Sequence, residues 1–185
     1  MNPILLDFPT EITTDRLIIR MPLPGDGKAV NEAIRASMNE LQPWMPFAQK
    51  EPKLEETEAN IREAHANFLL RKDLRLLIFH KETCQFIGST GLHRINWDLP
   101  KFEIGYWIDS RHAKQGYITE TVVGVTNFAF EELNAKRVEI RCDSLNINSR
   151  NVAERAGYTL EGILRNDDLA VDGTLRDTCV FSKIK

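Results

Sequence analysis

The stretch from Phe102 to Glu120, FEIGYWIDSRHAKQGYITE, decides the fold. Its first half, through Asp109, is apolar, branched and aromatic, which is the composition of a strand. A basic, polar connection follows (Arg111, His112, Lys114, Gln115), and Gly116 leads into a long helical pattern over about 118–133. The next strand reads at 137–142. A strand, a long helix and a strand in succession is the order of a parallel crossover. The connection is also a ready anion site. About four N–H groups at a helix start lack internal partners, and the helix dipole adds roughly half a positive charge there. Gly116 lets the main chain approach a ligand without a Cβ, and Arg111 or Lys114 brings a mobile counter-charge. An ordinary solvated strand-to-helix connection would carry the same residues.

Outward from this stretch, the flanks hold short, well-punctuated elements. Arg16-Leu17-Ile18-Ile19-Arg20-Met21 is branched and stopped by Pro22 and Pro24, which predicts a first strand. Asp26 is placed to cap a helix over about 28–38, where Val30, Ala33, Ile34 and Met38 keep helical spacing. Leu41-Gln42-Pro43-Trp44-Met45-Pro46-Phe47 is proline-broken yet too apolar for an ordinary surface loop. A second helix is expected over about 54–71, then strands at 75–80 and 86–95 across a turn at Lys81-Glu82-Thr83. Beyond 137–142, residues 149–156 read as a helix stopped by Gly157, and 159–164 and 174–181 as strands, the last after a turn at Asp172-Gly173. The expected order is β-α-α-β-β-β-α-β-α-β-β. This is an α/β fold: a mixed, mostly antiparallel twisted sheet with flanking helices and one parallel crossover pair, the fourth and fifth strands.

The chain has 185 residues, with 24 Lys plus Arg against 27 Asp plus Glu and a formal net charge of −3. That length fits one domain, 1–185, with its core over about 13–183. Hydrophobic residues at 42% and charged residues at 28% exclude a disordered or fibrous chain. A phosphate-binding surface usually shows in a basic chain, so no nucleic-acid partner is expected. No apolar run approaches the roughly 18–20 residues that cross a bilayer. Met1 to Asp7 lacks the basic-then-apolar pattern of a signal peptide, so a cytoplasmic location and no membrane partner are expected. Cys84, Cys142 and Cys179 are odd in number and far apart, which reads as reduced, mostly buried thiols. His65, His80, His93 and His112 fall in no metal-ligand spacing, so no metal is expected. The glycine patterns of the dinucleotide fold, the P-loop and the serine-hydrolase elbow are absent. Oligomeric state stays open, a homodimer included.

A second constellation follows the fifth strand: Asp143-Ser144-Leu145-Asn146-Ile147-Asn148-Ser149-Arg150-Asn151-Val152, then Ala-Glu-Arg-Ala-Gly-Tyr. It joins a series of pieces along nearly the whole chain. They are T-x-R-L-x-I-R from Thr14, L-x-x-W-x-P from Leu41, F-I-G-x-x-G-L from Phe86, E-I-G-Y-W-I from Glu103 and Q-G-Y-x-T-E from Gln115. Further on come F-x-F-E-E-L from Phe128, R-V-E-I-R from Arg137, N-x-x-S-x-x-V-x-x-x-x-G-Y from Asn146 and L-E-G from Leu160. In order and spacing the chain resembles the GNAT superfamily of acyl-CoA-dependent N-acetyltransferases, and within it the Rim-type enzymes that acetylate ribosomal-protein N-termini. The resemblance implies acetyl-CoA as cosubstrate. It places the coenzyme A pyrophosphate at Ala113, Lys114, Gln115, Gly116, Tyr117, Ile118 and Thr119. The pantetheine arm would run between the parted ends of the fourth and fifth strands, along Tyr106, Trp107 and Ile108. Against the family loop Arg/Gln-x-x-Gly-x-Gly/Ala, Ala113 stands at the Arg/Gln place and Ile118 at the second Gly/Ala. Asn146 is expected to hold the pantetheine arm or cap its loop.

The implied reaction needs an uncharged amine to attack a thioester carbonyl, an oxyanion donor and a proton for the departing thiolate. By the same analogy the oxyanion donor is a fourth-strand N–H near Trp107 or Ile108. Ser149 matches the serine proposed to protonate the thiolate, or else it only opens its helix. The base falls on Asp168 first and Glu103 second, with Asp167 adjacent, or else the aspartates merely form a turn. Trp44 and Phe47 would wall the acceptor cleft, or else pack in the core. The reading is acetyl transfer to a primary amine, first of all the α-amine of a protein N-terminus. The alternatives are a small-molecule amine acetyltransferase (polyamine, amino acid or antibiotic) and a non-catalytic acyl-CoA-binding module.

Overall fold

The computed structural model describes residues 2–185; Met1, the first residue of the N-terminal segment read above, lies outside the described residues. The sheet has strands β1 (Glu11–Thr13), β2 (Leu17–Arg20), β3 (Leu74–His80), β4 (Phe86–Asn96), β5 (Lys101–Ile108), β6 (Arg137–Asp143), β7 (Thr159–Leu169) and β8 (Leu175–Ile184). Helices α1 (Gly27–Ala36), α2 (Met38–Leu41), α3 (Leu54–Leu69), α4 (Tyr117–Glu131) and α5 (Ile147–Arg155) connect them. The strand order is β1-β2-β3-β4-β5-β6-β8-β7. Every neighbouring pair is antiparallel except β5 and β6, which α4 joins. The α/β mixed-sheet expectation is borne out, with its parallel pair at the two strands flanking the long helix.

Strand periodicity divides the core between the two sheet faces. On β3, Leu76 and Ile78 join one cluster with Leu17, Ile19, Phe102, Ile104, Val122, Val125, Val138 and Phe181, while the intervening Leu77 joins the other. That second cluster gathers Val30, Ala33, Ile34, Ile61, Phe86 and Trp107 beneath α1 and α3. The apolar spacings read on the first helix are therefore its buried face.

Several boundaries differ, each for a physical reason. The expected helix 28–38 breaks at Ser37, whose φ is −116° and ψ 13°. Its buried hydroxyl accepts the Ser110 N–H at 2.8 Å, and Ser110 Oγ donates to the Ala36 carbonyl at 3.1 Å, so a tertiary bond wins over helix continuation. Asp26 does not cap α1. Its backbone is already helical, and its carboxylate turns back to Arg20 at 2.8 Å and the Leu23 N–H at 2.7 Å. The cap comes from α3: Glu58 accepts the N–H groups of Gly25 at 2.9 Å and Gly27 at 3.0 Å. At the other end of the chain, α5 begins at Ile147, because Asn146 Oδ1 accepts the Ser149 N–H at 3.1 Å. It closes as foreseen at Gly157, with Tyr158 N–H on the Ala153 carbonyl and Gly157 N–H on that of Glu154, a Schellman pairing. Finally, β7 continues past Leu164 to Leu169 through an irregularity where Asn166 has φ 52°. Asp167 and Asp168 thus sit on a bulged strand, and the turn lies at Asp172-Gly173, where Asp172 Oδ1 accepts the Thr174 N–H. The strand β1 was not foreseen.

The Gly27–Glu58 contact gives a first expected result. A Cβ at Gly27 would stand 2.6 Å from Glu58 Cα, a backbone atom that cannot step aside. Alanine gains at most about 1 kcal/mol of helix propensity over glycine, while overpacking costs about 1–3 kcal/mol. Gly27→Ala is therefore expected to lower the urea midpoint; an unchanged or raised midpoint would show that α3 yields freely.

Among the described residues no helix is long and apolar enough to cross a membrane, and no group of three or more His, Cys, Asp or Glu could hold a metal ion. All three cysteines are free; Cys142 and Cys179 are buried and Cys84 is exposed.

Candidate active site

The site begins where β5 and β6 part. Their ladder pairs only Lys101–Glu103 with Arg137–Glu139; beyond it Ile104–Ile108 and Ile140–Asp143 separate. Antiparallel bonding alternates along a strand. The Asp109 N–H donates to the Ile87 carbonyl at 2.9 Å, so counting back by two commits Trp107, Gly105 and Glu103 to β4. The alternate residues, Tyr106 and Ile108, turn their main-chain groups toward the gap. Of the two oxyanion donors named from sequence, Ile108 fits and Trp107 does not. Trp107 also buries its ring between Phe47 and Phe86, at centroid distances of 5.8 and 5.7 Å.

The loop from β5 to α4 forms the second part. Ala113 N–H is taken by the Ser110 carbonyl at 3.2 Å, and the Glu120 N–H by that of Gly116 at 3.0 Å. Between them, the amides of Lys114 through Thr119 have no acceptor among the described residues. Lys114 (φ 62°) and Gly116 (φ 82°) both adopt left-handed backbone, which curls this run around the helix start. The Ile118 side chain is buried in the core. Arg111, named as a counter-charge, is folded back on buried Asp109, with Nε at 2.9 Å and Nη2 at 2.5 Å. Exposed Lys114 remains, with no carboxylate partner among the described residues.

A cleft of about 360 Å³ occupies the gap. Trp44, Met45, Gly105, Tyr106, Cys142, Asn146, Ser149, Asp168 and Arg176 line it. The Tyr106 hydroxyl lies 3.0 Å from both the Ser149 carbonyl and Ser149 Oγ. Donating to the carbonyl, it accepts from Oγ; donating to Oγ, it leaves the serine proton free for an atom in the cleft. Burial, opposed by the bond to Ser149, pushes the Tyr106 phenol well above its ordinary range, so it stays protonated. Burial likewise pushes the Cys142 thiol up to about 11.

The three carboxylates foreseen as bases separate. Asp168 lies at the cleft's lip, exposed, with Arg176 Nη2 at 2.9 Å; that bond holds its carboxyl below the ordinary range. Asp167 is paired with Arg141 at 2.8 Å. Glu103 lines a neighbouring cavity of about 210 Å³ with Arg94, Lys101, Glu139 and Arg141. Burial raises its carboxyl, opposed by Arg94 with Nε at 3.6 Å. The aromatics separate too: half-buried Trp44 walls the cleft, while Phe47 packs at a tilt against Trp107 outside it. The side chain of Tyr106 was missed as a functional group. Its signal was the alternation that puts it on the Ile104 face, where a buried phenol needs a partner.

This arrangement is a collar of acceptor-free main-chain amides on the loop after β5, with a cleft that holds a positioned hydroxyl where β5 and β6 part. A family model described as an acetyltransferase (GNAT) domain matches residues 16–159, and the chain belongs to that family; its acyl donor is acetyl-CoA. It is similar to YdaF of Bacillus subtilis (strain 168), provisionally named a ribosomal N-acetyltransferase, at 31% identity over 92% of each chain. It is 28% identical to the ribosomal-protein-serine acetyltransferase of Escherichia coli (strain K12), covering 70% of this chain and 73% of that one. Among solved structures, RimL, a ribosomal α-N-protein acetyltransferase in complex with coenzyme A, superposes with a TM-score of 0.86 at 21% identity, covering 94% of this chain and 97% of that one.

Proposed function

We propose that this chain moves an acetyl group from acetyl-CoA to the α-amine of a protein N-terminus, a ribosomal-protein-like acceptor, by direct attack in a ternary complex. The reading takes residues 1–185 as a single acetyltransferase domain working in the cytoplasm. The observation that carries it is the pairing of two features on one strand and the loop that follows it: β5 parts from β6 at a cleft holding Ser149 and Asp168, and the loop after β5 carries the unmatched amides of Lys114–Thr119. The diphosphate sits on the amides, and the pantetheine arm follows Tyr106 and Ile108. The acceptor enters beside Trp44. Its neutral nitrogen attacks the thioester carbon, and the Ile108 or Tyr106 N–H stabilises the oxyanion. The carbon–sulfur bond breaks, and the sulfur takes a proton from Ser149 Oγ, whose oxygen Tyr106 supports by donating to it. The proton shed by the nitrogen passes to Asp168, directly or by one water, and is released to solvent, from which Ser149 Oγ regains the proton it gave to the sulfur.

A peptide end is favoured over a polyamine by the charge balance of the cleft. Its carboxylates, Asp143 and Asp168, are matched by Arg141 and Arg176, whereas a polycation site would keep an excess of acid. Thiol release from acetyl-CoA with peptides of varied first residue, beside spermidine and free amino acids, tests this. Turnover of peptides with mass-spectrometric localisation to the α-nitrogen is expected; turnover of spermidine alone would replace this acceptor with a small amine. Acetyl-CoA at about 100 times its dissociation constant should add about 2.7 kcal/mol of stability. That stabilisation without turnover of any amine would leave a binding module.

A further inference from the structure

Arg16 precedes β2 and is remote from the collar in sequence, yet its side chain is built into it. Its Nε donates to Glu120 Oε2 at 2.7 Å and its main-chain N–H to Glu120 Oε1 at 2.9 Å. Its Nη1 donates to the Gln115 carbonyl at 3.0 Å. The guanidinium carbon stands 4.5 Å from the centre of the Tyr117 ring, and Nη2 lies 3.5 Å from where a Cβ on Gly116 would be. Thr14 Oγ1 braces the same carboxylate at 2.7 Å.

These contacts act on the orientation of one peptide plane. In a trans peptide the C=O and the following N–H point in opposite directions. Drawing the Gln115 carbonyl onto Arg16 therefore aims the Gly116 N–H away from Arg16, into the collar. The Glu120 carboxylate, in the first turn of α4, would otherwise repel an anion held at that helix start, and Arg16 offsets its charge. We propose that Arg16 is a positioning residue for the donor's diphosphate: it fixes the Gln115–Gly116 peptide and neutralises Glu120, so that the amides of the collar face the ligand. This rests on the collar holding the diphosphate.

The experiment compares two donors, acetyl-CoA and acetyl-pantetheine, which lacks the diphosphate and nucleotide. It uses Arg16→Gln, Arg16→Lys and Gly116→Val, with folding followed by circular dichroism. Arg16→Gln is expected to raise the ratio of the KM for acetyl-CoA to that for acetyl-pantetheine about tenfold, the scale of one hydrogen bond to a charged group. Arg16→Lys keeps the charge and the apolar stem but not the fork; it is expected to recover part of the ratio, and it carries the test if Arg16→Gln does not fold. If the arginine variants leave the ratio unchanged while Gly116→Val raises it, the role of Arg16 is overturned and the collar stands. If Gly116→Val also leaves the ratio unchanged, the collar itself is overturned. Equal loss with both donors would reduce Arg16 to a structural residue.

Discussion

Ser149→Ala is expected to lower kcat by about 10²–10⁴-fold, the range of a general acid that meets the reacting atom in the transition state. A thiol of ordinary pKa near ~8.5 is a fair leaving group, and the acid help added to it comes from Ser149 Oγ, the hydroxyl in the cleft whose proton is free to move when Tyr106 donates to it. The substitution is clean. Asn146 caps α5 through the Ser149 main-chain N–H, so alanine keeps the cap and the helix. Donor affinity should hold, because the proposed diphosphate site, the amides of Lys114–Thr119, is left untouched. Cys142 offers no detour through an acetyl-cysteine. Burial pushes its thiol up to about 11, so it is not the thiolate that covalent transfer requires. Initial-rate patterns should therefore intersect, as for a ternary complex. A variant that keeps kcat within a few-fold of the parent would return Ser149 to an ordinary first-turn residue.

What could be read in advance was whatever local spacing encodes. The strand–loop–helix order of Phe102–Glu120 placed the parallel pair, and the Val30, Ala33, Ile34 spacing found the buried face of α1. What escaped depends on partners distant in the chain. Asp26 looked like a cap because caps are local, but Glu58, on another helix, took the role. Asn166-Asp167-Asp168 has turn composition, yet pairing with β8 stretches it into a bulged strand that delivers Asp168 to the cleft. Arg16 and the Tyr106 hydroxyl acquire meaning only once Gln115 and Ser149 are beside them. The collar's composition was legible; the Arg16 contacts to Gln115 and Glu120 were not.

Asp168→Asn is expected to lower kcat by about 10²–10⁴-fold as well, and the pH dependence separates it from Glu103. A base acts when deprotonated, and an amine attacks when neutral. Arg176 holds the Asp168 carboxyl below its ordinary value, so Asp168 stays ionised down through the usual carboxylate range near ~3.9. Its own ionisation therefore leaves no limb between pH 5 and 8 in the parent enzyme. The acid limb of kcat/KM for the acceptor belongs instead to the incoming ammonium, near ~7.7–8.0 for a peptide α-amine. That limb should move with the amine when the acceptor is exchanged for one of lower pKa. Glu103 has the opposite sign. Burial raises its carboxyl, so as the base it would give a limb above the ordinary glutamate value near ~4.3, fixed whatever the acceptor. Geometry favours Asp168, which lines the cleft with Ser149, while Glu103 faces the neighbouring cavity across Arg141. A limb that ignores the acceptor's pKa and vanishes in Glu103→Gln would transfer the role to Glu103. With Asp168 as base, Glu103→Gln leaves the acceptor-dependent limb in place and Asp168→Asn depresses the whole profile.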